Sequence, residues 1–204
     1  MIISSAKPVE EILGLLEGEE DIFVIGCNTC AAKLHLGGEP EVQKMCEDLK
    51  AAGKNVVGWV LPTAACSIRT REHLLEKNRD IEDAKAIVVM GCGSGASIVS
   101  GVLDKPVYTS NNTDSLGGFS HGNEMHGLCA MCGNCTISGF GGICPTARCP
   151  KELLNGPCGG SMDGRCEVNG EKDCAWELIY QRLNTIGRLD LLAGVLAPKD
   201  HVLR

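Results

Sequence analysis

Aromatic residues, long apolar runs and an excess of positive charge are all scarce in this chain of 204 residues. Aromatic residues make up 3% of the chain and the formal net charge is −7, so nucleic acid and anionic membranes are disfavoured as partners. The longest apolar run, Ala86 to Met90, is too short to cross a bilayer, which predicts no transmembrane helix. Residues 1–20 lack a basic start followed by an apolar stretch, so we expect no secretory signal and a cytoplasmic location.

Cysteine, by contrast, is abundant, with 13 residues in the chain. The cytosol keeps thiols reduced, and an odd number of cysteines cannot pair completely, so a disulfide framework is disfavoured. Thiols at short spacings in a reducing compartment indicate ligands of a metal ion or of an iron–sulfur cluster instead. Hydrophobic residues at 44% and charged residues at 22% fit a globular protein.

Apolar runs alternate with helix-like segments in the first half of the chain. Short runs predict strands at residues 22–25, 56–61, 86–90 and 107–109. An amphipathic stripe predicts a helix over residues 40–52, and residues 71–85 read as a polar helix. This alternation implies a small parallel sheet with right-handed crossovers. We therefore predict an α/β domain over residues 1–115, followed by a Cys-rich, cluster-stabilised region with C-terminal helices over residues 116–204.

Four cysteines follow the predicted strands of the first half, namely Cys27, Cys30, Cys66 and Cys92. The carboxyl ends of parallel strands meet at one edge of a sheet, so we expect these thiols to converge there. Four thiolates suit a [4Fe–4S] cluster or a structural zinc ion. The alternative is that Cys66 and Cys92 are small buried hydrophobic residues. Cys46 lies on the apolar stripe of the predicted helix, and we expect it in the core.

Eight further cysteines lie between residues 129 and 174, among many glycines and few apolar residues. The run Cys129-x-x-Cys132-x-x-Cys135 is typical of ferredoxin-like cluster loops, which continue with a Cys-Pro pair. We predict one cluster held by Cys129, Cys132, Cys135 and Cys149. We predict a second held by Cys144, Cys158, Cys166 and Cys174. Both Cys144 and Cys149 precede proline, and the two could be exchanged because sequence order does not fix their ligation.

Several other residues near these cysteines are candidates for a supporting role. Positive charge close to the clusters could come from Arg148, Lys151, Arg165 and Lys172, which could equally be solvated surface residues. His121 and His126 flank Glu124 just before the run, and either could replace a cysteine ligand or lie exposed in a loop. Helical spacing places Trp176, Ile179, Tyr180 and Leu183 on one face. We expect this face to pack in the core, and the alternative is that it docks a partner. Residues 199–204 read as a polar tail.

Three sequence blocks carry a family resemblance: Cys129-Ala-Met-Cys-Gly-Asn-Cys135, Asn155-Gly-Pro-Cys-Gly-Gly160 and Asp173-Cys-Ala-Trp176. They resemble the C-terminal domain family of methylenetetrahydrofolate reductases, in its stand-alone form, the MetV-type subunit of acetogenic bacteria. The resemblance implies iron–sulfur centres that feed electrons to a MetF-type flavoprotein partner. That partner reduces 5,10-methylenetetrahydrofolate to 5-methyltetrahydrofolate in the Wood–Ljungdahl pathway. The family is also described with zinc.

A flavin- and folate-binding barrel takes roughly 250 residues of alternating strand and helix. This chain is shorter and lacks that pattern, so we expect folate reduction in the partner and no catalytic residue here. The leading interpretation is an electron-transfer subunit with three [4Fe–4S] clusters. The first alternative is a zinc-stabilised scaffold that assembles the reductase without redox chemistry. A weaker alternative is a nucleotide-binding oxidoreductase, because residues 91–96 match G-x-G-x-x-A after a strand.

Overall fold

A computed structural model describes residues 1–76, 78–119 and 125–200 of the chain. Its strands are β1 (Ile2–Ala6), β2 (Asp21–Ile25), β3 (Asn55–Val60), β4 (Ala86–Val89), β5 (Val107–Thr109), β6 (Asn111–Phe119) and β7 (Met125–Cys129). Its α-helices are α1 (Val9–Leu15), α2 (Cys30–Lys33), α3 (Glu39–Ala51), α4 (Arg71–Leu75), α5 (Gly93–Val102), α6 (Pro145–Arg148) and α7 (Ala175–Thr185). Short 3-10 helices lie at Ala65–Ser67, Arg79–Glu82, Ile137–Phe140 and Leu189–Leu192. The chain divides into a first unit, Met1–Asp114, and a second unit, Ser115–Arg204.

The first unit is built on a four-stranded sheet in the order β3-β2-β4-β5. β2 pairs in parallel with β3 on one side and with β4 on the other, and β4 pairs in parallel with β5. Every residue of β4 is buried, as expected for a parallel strand covered on both faces. The predicted α/β architecture with a parallel sheet is confirmed.

Side chains of the sheet alternate between two separate cores, one on each face. Phe23 and Ile25 of β2 pack on one face, with buried residues of α4, α5 and the nearby 3-10 helices. Ile22 and Val24 pack on the opposite face, with buried residues of α1 and α3. Cys46 belongs to this second core and is 6% exposed, so its predicted position in the core is confirmed.

The predicted continuous helix over residues 71–85 is wrong. The structure has the short helix α4, then the separate 3-10 helix Arg79–Glu82. Between them, the side-chain amide of Asn78 donates to the Leu74 carbonyl (3.0 Å), while the Asn78 carbonyl accepts from the Ile81 amide (3.2 Å). Asparagine competes in this way with the helical hydrogen-bond ladder. The break lets both Leu74 and Ile81 reach the core.

Sequence patterns missed β1, α1 and α5. The first strand, β1, lies beside β6, and the Ser5 hydroxyl donates to the Asp114 carboxylate (3.2 Å). Helix α5 contains Gly93, Gly95 and Gly101, which have low helix propensity, so its sequence does not look helical. Tertiary packing compensates, because Gly95 lies directly against Ala65.

The second unit contains little regular structure. β6 pairs antiparallel with β7, from Leu116↔Cys129 to Phe119↔Met125, a pairing that the sequence patterns did not predict. Its core is small, comprising Phe140, Cys174, Trp176, Ile179 and Leu183. The predicted apolar face of α7 is therefore mainly core, whereas Tyr180 is 56% exposed. None of the helices among the described residues is long and apolar enough to cross a membrane.

Candidate metal centres

The N-terminal quartet of Cys27, Cys30, Cys66 and Cys92 lies along the carboxyl edge of the parallel sheet. Cys27 and Cys30 follow β2, Cys66 lies in the 3-10 helix after β3, and Cys92 directly precedes α5. Since β2 is flanked by β3 and β4, the three strand ends are neighbours. The topology alone therefore places all four thiols at one edge.

Electrostatics of the quartet agree with this placement. Burial raises the pKa of the Cys66 thiol, and the charges of Cys92, Cys27 and Cys30 raise it further. A thiolate at Cys66 thus experiences the other three members of the quartet. Thiolates that repel one another need a cation to hold them together, and this is what a metal centre provides.

Close backbone packing holds the Cys27 loop in place. The Cys27 amide donates a hydrogen bond to the Gly37 carbonyl (2.8 Å). The Ile2 amide donates a hydrogen bond to the Cys30 sulfur (3.5 Å). A β-carbon at Gly37 would lie 1.9 Å from the Met90 carbonyl oxygen, so only glycine fits there. The buried Asn111 side chain joins two of these loops by donating to the Leu36 (3.4 Å) and Gly91 (3.3 Å) carbonyls. No sequence motif pointed to Asn111.

The second unit brings four cysteines to one small cavity. The cavity group consists of Cys149, Cys158, Cys166 and Cys174, which line this cavity together with Trp176. Cys149 follows α6 and Cys174 precedes α7, while Cys166 adjoins the Arg165↔Asp173 bridge. Cys149, rather than Cys144, therefore accompanies the last three cysteines. This is the exchanged form of the predicted grouping, and it arises because the short helix α6 separates Cys144 from Cys149.

The space inside the cavity group is about 20 Å³, which is close to the room that one water molecule needs. This space is smaller than a four-iron cluster, so a cluster would require the surrounding loops to rearrange, and a single ion would require the thiols to move closer together. The four thiols themselves suit either metal, because both zinc and iron–sulfur clusters take four cysteines.

The remaining four cysteines, the loop group, are Cys129, Cys132, Cys135 and Cys144. Cys129 ends β7 and Cys144 precedes α6, and α6 packs against β7. The Cys129 sulfur accepts a hydrogen bond from the Met131 amide (3.3 Å). The Cys132 sulfur accepts from the Lys199 ammonium (3.1 Å), which lowers the pKa of the Cys132 thiol. Donors directed at sulfur fit thiolate ligands, since such bonds stabilise negative charge on sulfur.

Lys151 is a predicted basic residue that interacts electrostatically with two cysteines of the cavity group. Its hydrogen bond with Glu167, and then the charges of Cys158 and Cys149, raise the pKa of the Lys151 ammonium. Among the other predicted basic residues, Arg165 instead forms an ion pair with Asp173 (2.8 Å). His126 lies in β7, while His121 falls outside the described residues.

All 13 cysteines are free thiols. Within residues 1–76, 78–119 and 125–200, no three His, Cys, Asp or Glu side chains are yet close enough together to hold a metal ion. Metal binding would therefore have to draw the thiols inward in each group. The 12 proposed ligands stay a prediction.

Two functional candidates, Lys199 and Asn155, escaped the sequence patterns. The region of Lys199 reads as a polar tail, yet its ammonium lies against Cys132. Asn155, in the block before Cys158, donates to the Leu196 carbonyl (2.9 Å) and accepts from the Leu196 amide (2.7 Å). The one sequence feature that could have pointed to Asn155 was its position in the Asn155-Gly-Pro-Cys-Gly-Gly160 block.

A larger apolar cavity of about 770 Å³ lies beside the cavity group. Phe140, Tyr180 and Leu192 are among its lining residues, and Trp176 and Ser161 line both cavities. Its volume is in the range of ligand pockets in proteins. Trp176 therefore borders both this space and the cavity of the four thiols.

Comparison with known proteins finds a family whose profile matches part of the chain. Residues 108–202 match the sequence profile of the family described as "Methylene-tetrahydrofolate reductase C terminal". The match includes every cysteine of the loop group and the cavity group, and it associates this part of the chain with methylenetetrahydrofolate reductases. No curated protein sequence matches the chain.

Two solved structures share a weak likeness with the chain. One is described as a branched-chain amino acid ABC transporter from Rhodospirillum rubrum, with 19% identity and a TM-score of 0.34, covering 50% of this chain and 28% of that one. The other is an amino acid ABC transporter substrate-binding protein from Pseudomonas fluorescens Pf-5, with 13% identity and a TM-score of 0.31, covering 45% of this chain and 22% of that one. The chain thus matches about a quarter of the length of each. Likenesses this weak carry no functional meaning.

Proposed function

We propose that this protein is the iron–sulfur electron-transfer subunit of a methylenetetrahydrofolate reductase. It passes electrons to the flavin of a MetF-type catalytic subunit, which reduces 5,10-methylenetetrahydrofolate to 5-methyltetrahydrofolate in the Wood–Ljungdahl pathway. One observation carries the proposal: the segment that matches the reductase family contains two groups of four cysteines, one of them around a single cavity.

The donor set of each group supports the proposal. The N-terminal quartet, the loop group and the cavity group each supply four free thiols, and [4Fe–4S] clusters take four cysteine ligands. Such a cluster supplies one-electron transfer at a potential that burial and hydrogen bonds to sulfur adjust. The chain itself supplies those hydrogen bonds, from the Met131 amide in the loop group and the Ile2 amide in the quartet.

Folate reduction itself belongs to the partner in this proposal. The first unit has a four-stranded open sheet, whereas a folate- and flavin-binding barrel closes eight strands. The role of this chain is to hold metal centres and to present them to a catalytic subunit. The large cavity beside Trp176 offers an apolar surface close to the cavity group, where a partner could approach the thiols.

A zinc-stabilised scaffold is the second candidate function, and the narrow space of the cavity group favours it at that position. About 20 Å³ suits one ion, and zinc takes four thiolates in closed structural sites without redox chemistry. In the mixed case, zinc occupies the cavity group while iron–sulfur clusters occupy the other two groups. In the pure scaffold case, the protein moves no electrons.

Metal analysis of protein purified without oxygen separates these cases. Three four-iron clusters predict about twelve irons and about twelve sulfides per chain, with a broad visible absorption that dithionite bleaches. The mixed case predicts about eight irons and about one zinc per chain. A colourless protein that holds zinc and no iron would contradict the electron-transfer proposal.

Electron delivery is then measured directly. The dithionite-reduced protein is freed of excess dithionite and mixed with an oxidised MetF-type flavoprotein, and flavin bleaching is followed by stopped flow. We expect rapid bleaching with the wild type and with Cys46→Ala, and a large loss of rate with Cys132→Ser. Equal rates with and without iron in the protein would show that the flavin does not draw electrons from this chain.

A further inference from the structure

The ammonium group of Lys199 is held in a complete cation site. It donates to the Cys132 sulfur (3.1 Å), the Asn134 carbonyl (2.5 Å) and the Thr136 hydroxyl (3.5 Å). A lysine ammonium has three N–H donors, and here each of the three has an acceptor. The Lys199 side chain is half-buried, and Cys132 is 9% exposed, so little water competes for these contacts.

The three acceptors span the loop that carries the loop group. Cys132 is itself a proposed ligand, while Asn134 and Thr136 flank Cys135 on either side. One side chain from a distant part of the sequence thus contacts this loop at three points. A neutral thiol is a weak acceptor, whereas a sulfur that carries negative charge forms a strong, charge-assisted bond with an ammonium.

The segment before Lys199 is attached by hydrogen bonds to Asn155, which lies near Cys158 of the cavity group in the sequence. Asn155 forms two hydrogen bonds with the Leu196 backbone, at 2.9 and 2.7 Å. Asn155 lies three residues before Cys158 in the sequence. Residues 196–199 therefore form a strap, anchored at Asn155 and ending with an ammonium on the Cys132 sulfur.

From this geometry we propose that Lys199 is a positioning residue for the metal centre of the loop group, where its ammonium compensates the negative charge of the ligated sulfurs. This inference rests on the proposed function, because it assumes that the loop group holds a metal. An adjacent cation stabilises the metal-bound thiolate and the more negative, reduced form of a cluster. Lys199 should accordingly slow metal loss and raise the reduction potential of this centre.

Replacement of Lys199 tests the inference on the whole, metal-loaded chain. Lys199→Gln removes the charge but keeps a polar side chain, and Lys199→Arg keeps the charge. We expect Lys199→Gln to bind its metal about tenfold to a hundredfold more weakly than the wild type in competition with a chelator, the usual effect of removing a residue that supports a metal ligand, and to release the metal faster. If the centre contains iron, its potential in an anaerobic redox titration should also become more negative. Lys199→Arg should recover at least part of both effects.

Arg182→Gln is the matched control. It removes one positive charge from an exposed residue of α7 in the same unit, and we expect wild-type metal release and potential. Asn155→Ala loosens the strap without a change in charge, and it should speed metal release less than Lys199→Gln does. Far-UV circular dichroism identifies any variant that fails to fold. If Lys199→Gln does not fold, metal release and potential are compared between the wild type, Lys199→Arg and Asn155→Ala.

The possible failures are distinguishable. A wild type that binds no metal overturns the proposed function together with this inference. A wild type that holds its metal, with unchanged metal release and potential in Lys199→Gln, overturns only the role of Lys199. Faster release with an unchanged iron potential would show that Lys199 is a structural anchor, which also contradicts charge compensation.

Discussion

Phe140 and Trp176 meet edge to face, with ring centroids 5.6 Å apart and planes inclined at 85°. The Trp176 indole also donates to the Leu153 carbonyl (3.1 Å). Trp176 is 5% exposed and lines both the large apolar cavity and the cavity of the cavity group. This one side chain thus joins the small core of the second unit to four of its cysteines.

Trp176→Ala is expected to destabilise the second unit by about 3–5 kcal/mol, the usual cost of removing a large buried aromatic side chain. Trp176→Phe keeps most of the ring but leaves the Leu153 carbonyl without its donor, which costs about 1–3 kcal/mol. Urea unfolding, followed by near- and far-UV circular dichroism, measures both values. Trp59→Phe is the control, because Trp59 is 37% exposed, and it should change stability little. Equal losses at the two positions would contradict the central role of Trp176.

Gly37→Ala is expected to destabilise the first unit by about 1–3 kcal/mol, because the new β-carbon would lie 1.9 Å from the Met90 carbonyl oxygen. The Gly37 carbonyl accepts from the Cys27 amide, so metal binding by the N-terminal quartet should weaken as well. Thermal unfolding and metal content are the two measurements.

Gly14→Ala is the matched control for this substitution. Gly14 lies in α1 with open space around it, and alanine there should stabilise the protein by about 0.4–1 kcal/mol. A Gly37→Ala protein as stable as the wild type would show that the Cys27 loop tolerates a shift away from Met90.

Double substitutions test the grouping of the cysteines. If Cys149 and Cys158 serve one centre, Cys149→Ser combined with Cys158→Ser should lose the metal of that centre alone. Cys144→Ser combined with Cys158→Ser should lose the metal of two centres, because each substitution disables a different group. Metal is counted per chain after anaerobic purification, and Cys46→Ala should retain the full content. The opposite pattern would restore the grouping of Cys144 with Cys158.

Cys46 should resist alkylation in the folded protein. Burial raises the pKa of the Cys46 thiol, and the charge of Lys50 opposes this increase only in part. Peptide mapping after iodoacetamide treatment should find Cys46 unlabelled in the native chain and labelled in urea. Equal labelling rates in the two states would show that the α3 face is open to solvent.

The raised pKa of Cys46 also predicts how stability depends on pH. The unfolded chain ionises this thiol near the ordinary value of 9.0, before the folded chain does. The contribution of the Cys46 thiol to the free energy of unfolding is therefore fully present below pH 9.0 and declines as the pH rises through and beyond that value. Urea unfolding of wild type and Cys46→Ala between pH 7 and pH 10 measures this contribution, and the stability advantage of the wild type over Cys46→Ala should shrink as the pH rises through 9.0.

The sequence by itself determined the parallel sheet of the first unit and the place of Cys46 in its core. Both follow from local periodicity, since apolar runs such as residues 86–89 form buried strands and a helical stripe faces inward. The sequence also placed Cys27, Cys66 and Cys92 at the carboxyl edge of the parallel sheet, because the ends of neighbouring parallel strands lie side by side there.

Only the tertiary structure decided which cysteines of the second unit share a cavity and what surrounds them. Cys144 and Cys149 both precede proline, so the sequence holds no local signal that separates them; in the structure they lie at opposite ends of α6, and of the two Cys149 lines the cavity. Lys199 reaches Cys132 across 67 residues of chain, a contact that no periodicity encodes. Contacts between distant segments depend on how loops close in space, and this is why the sequence yielded the candidate ligands but not how they are grouped.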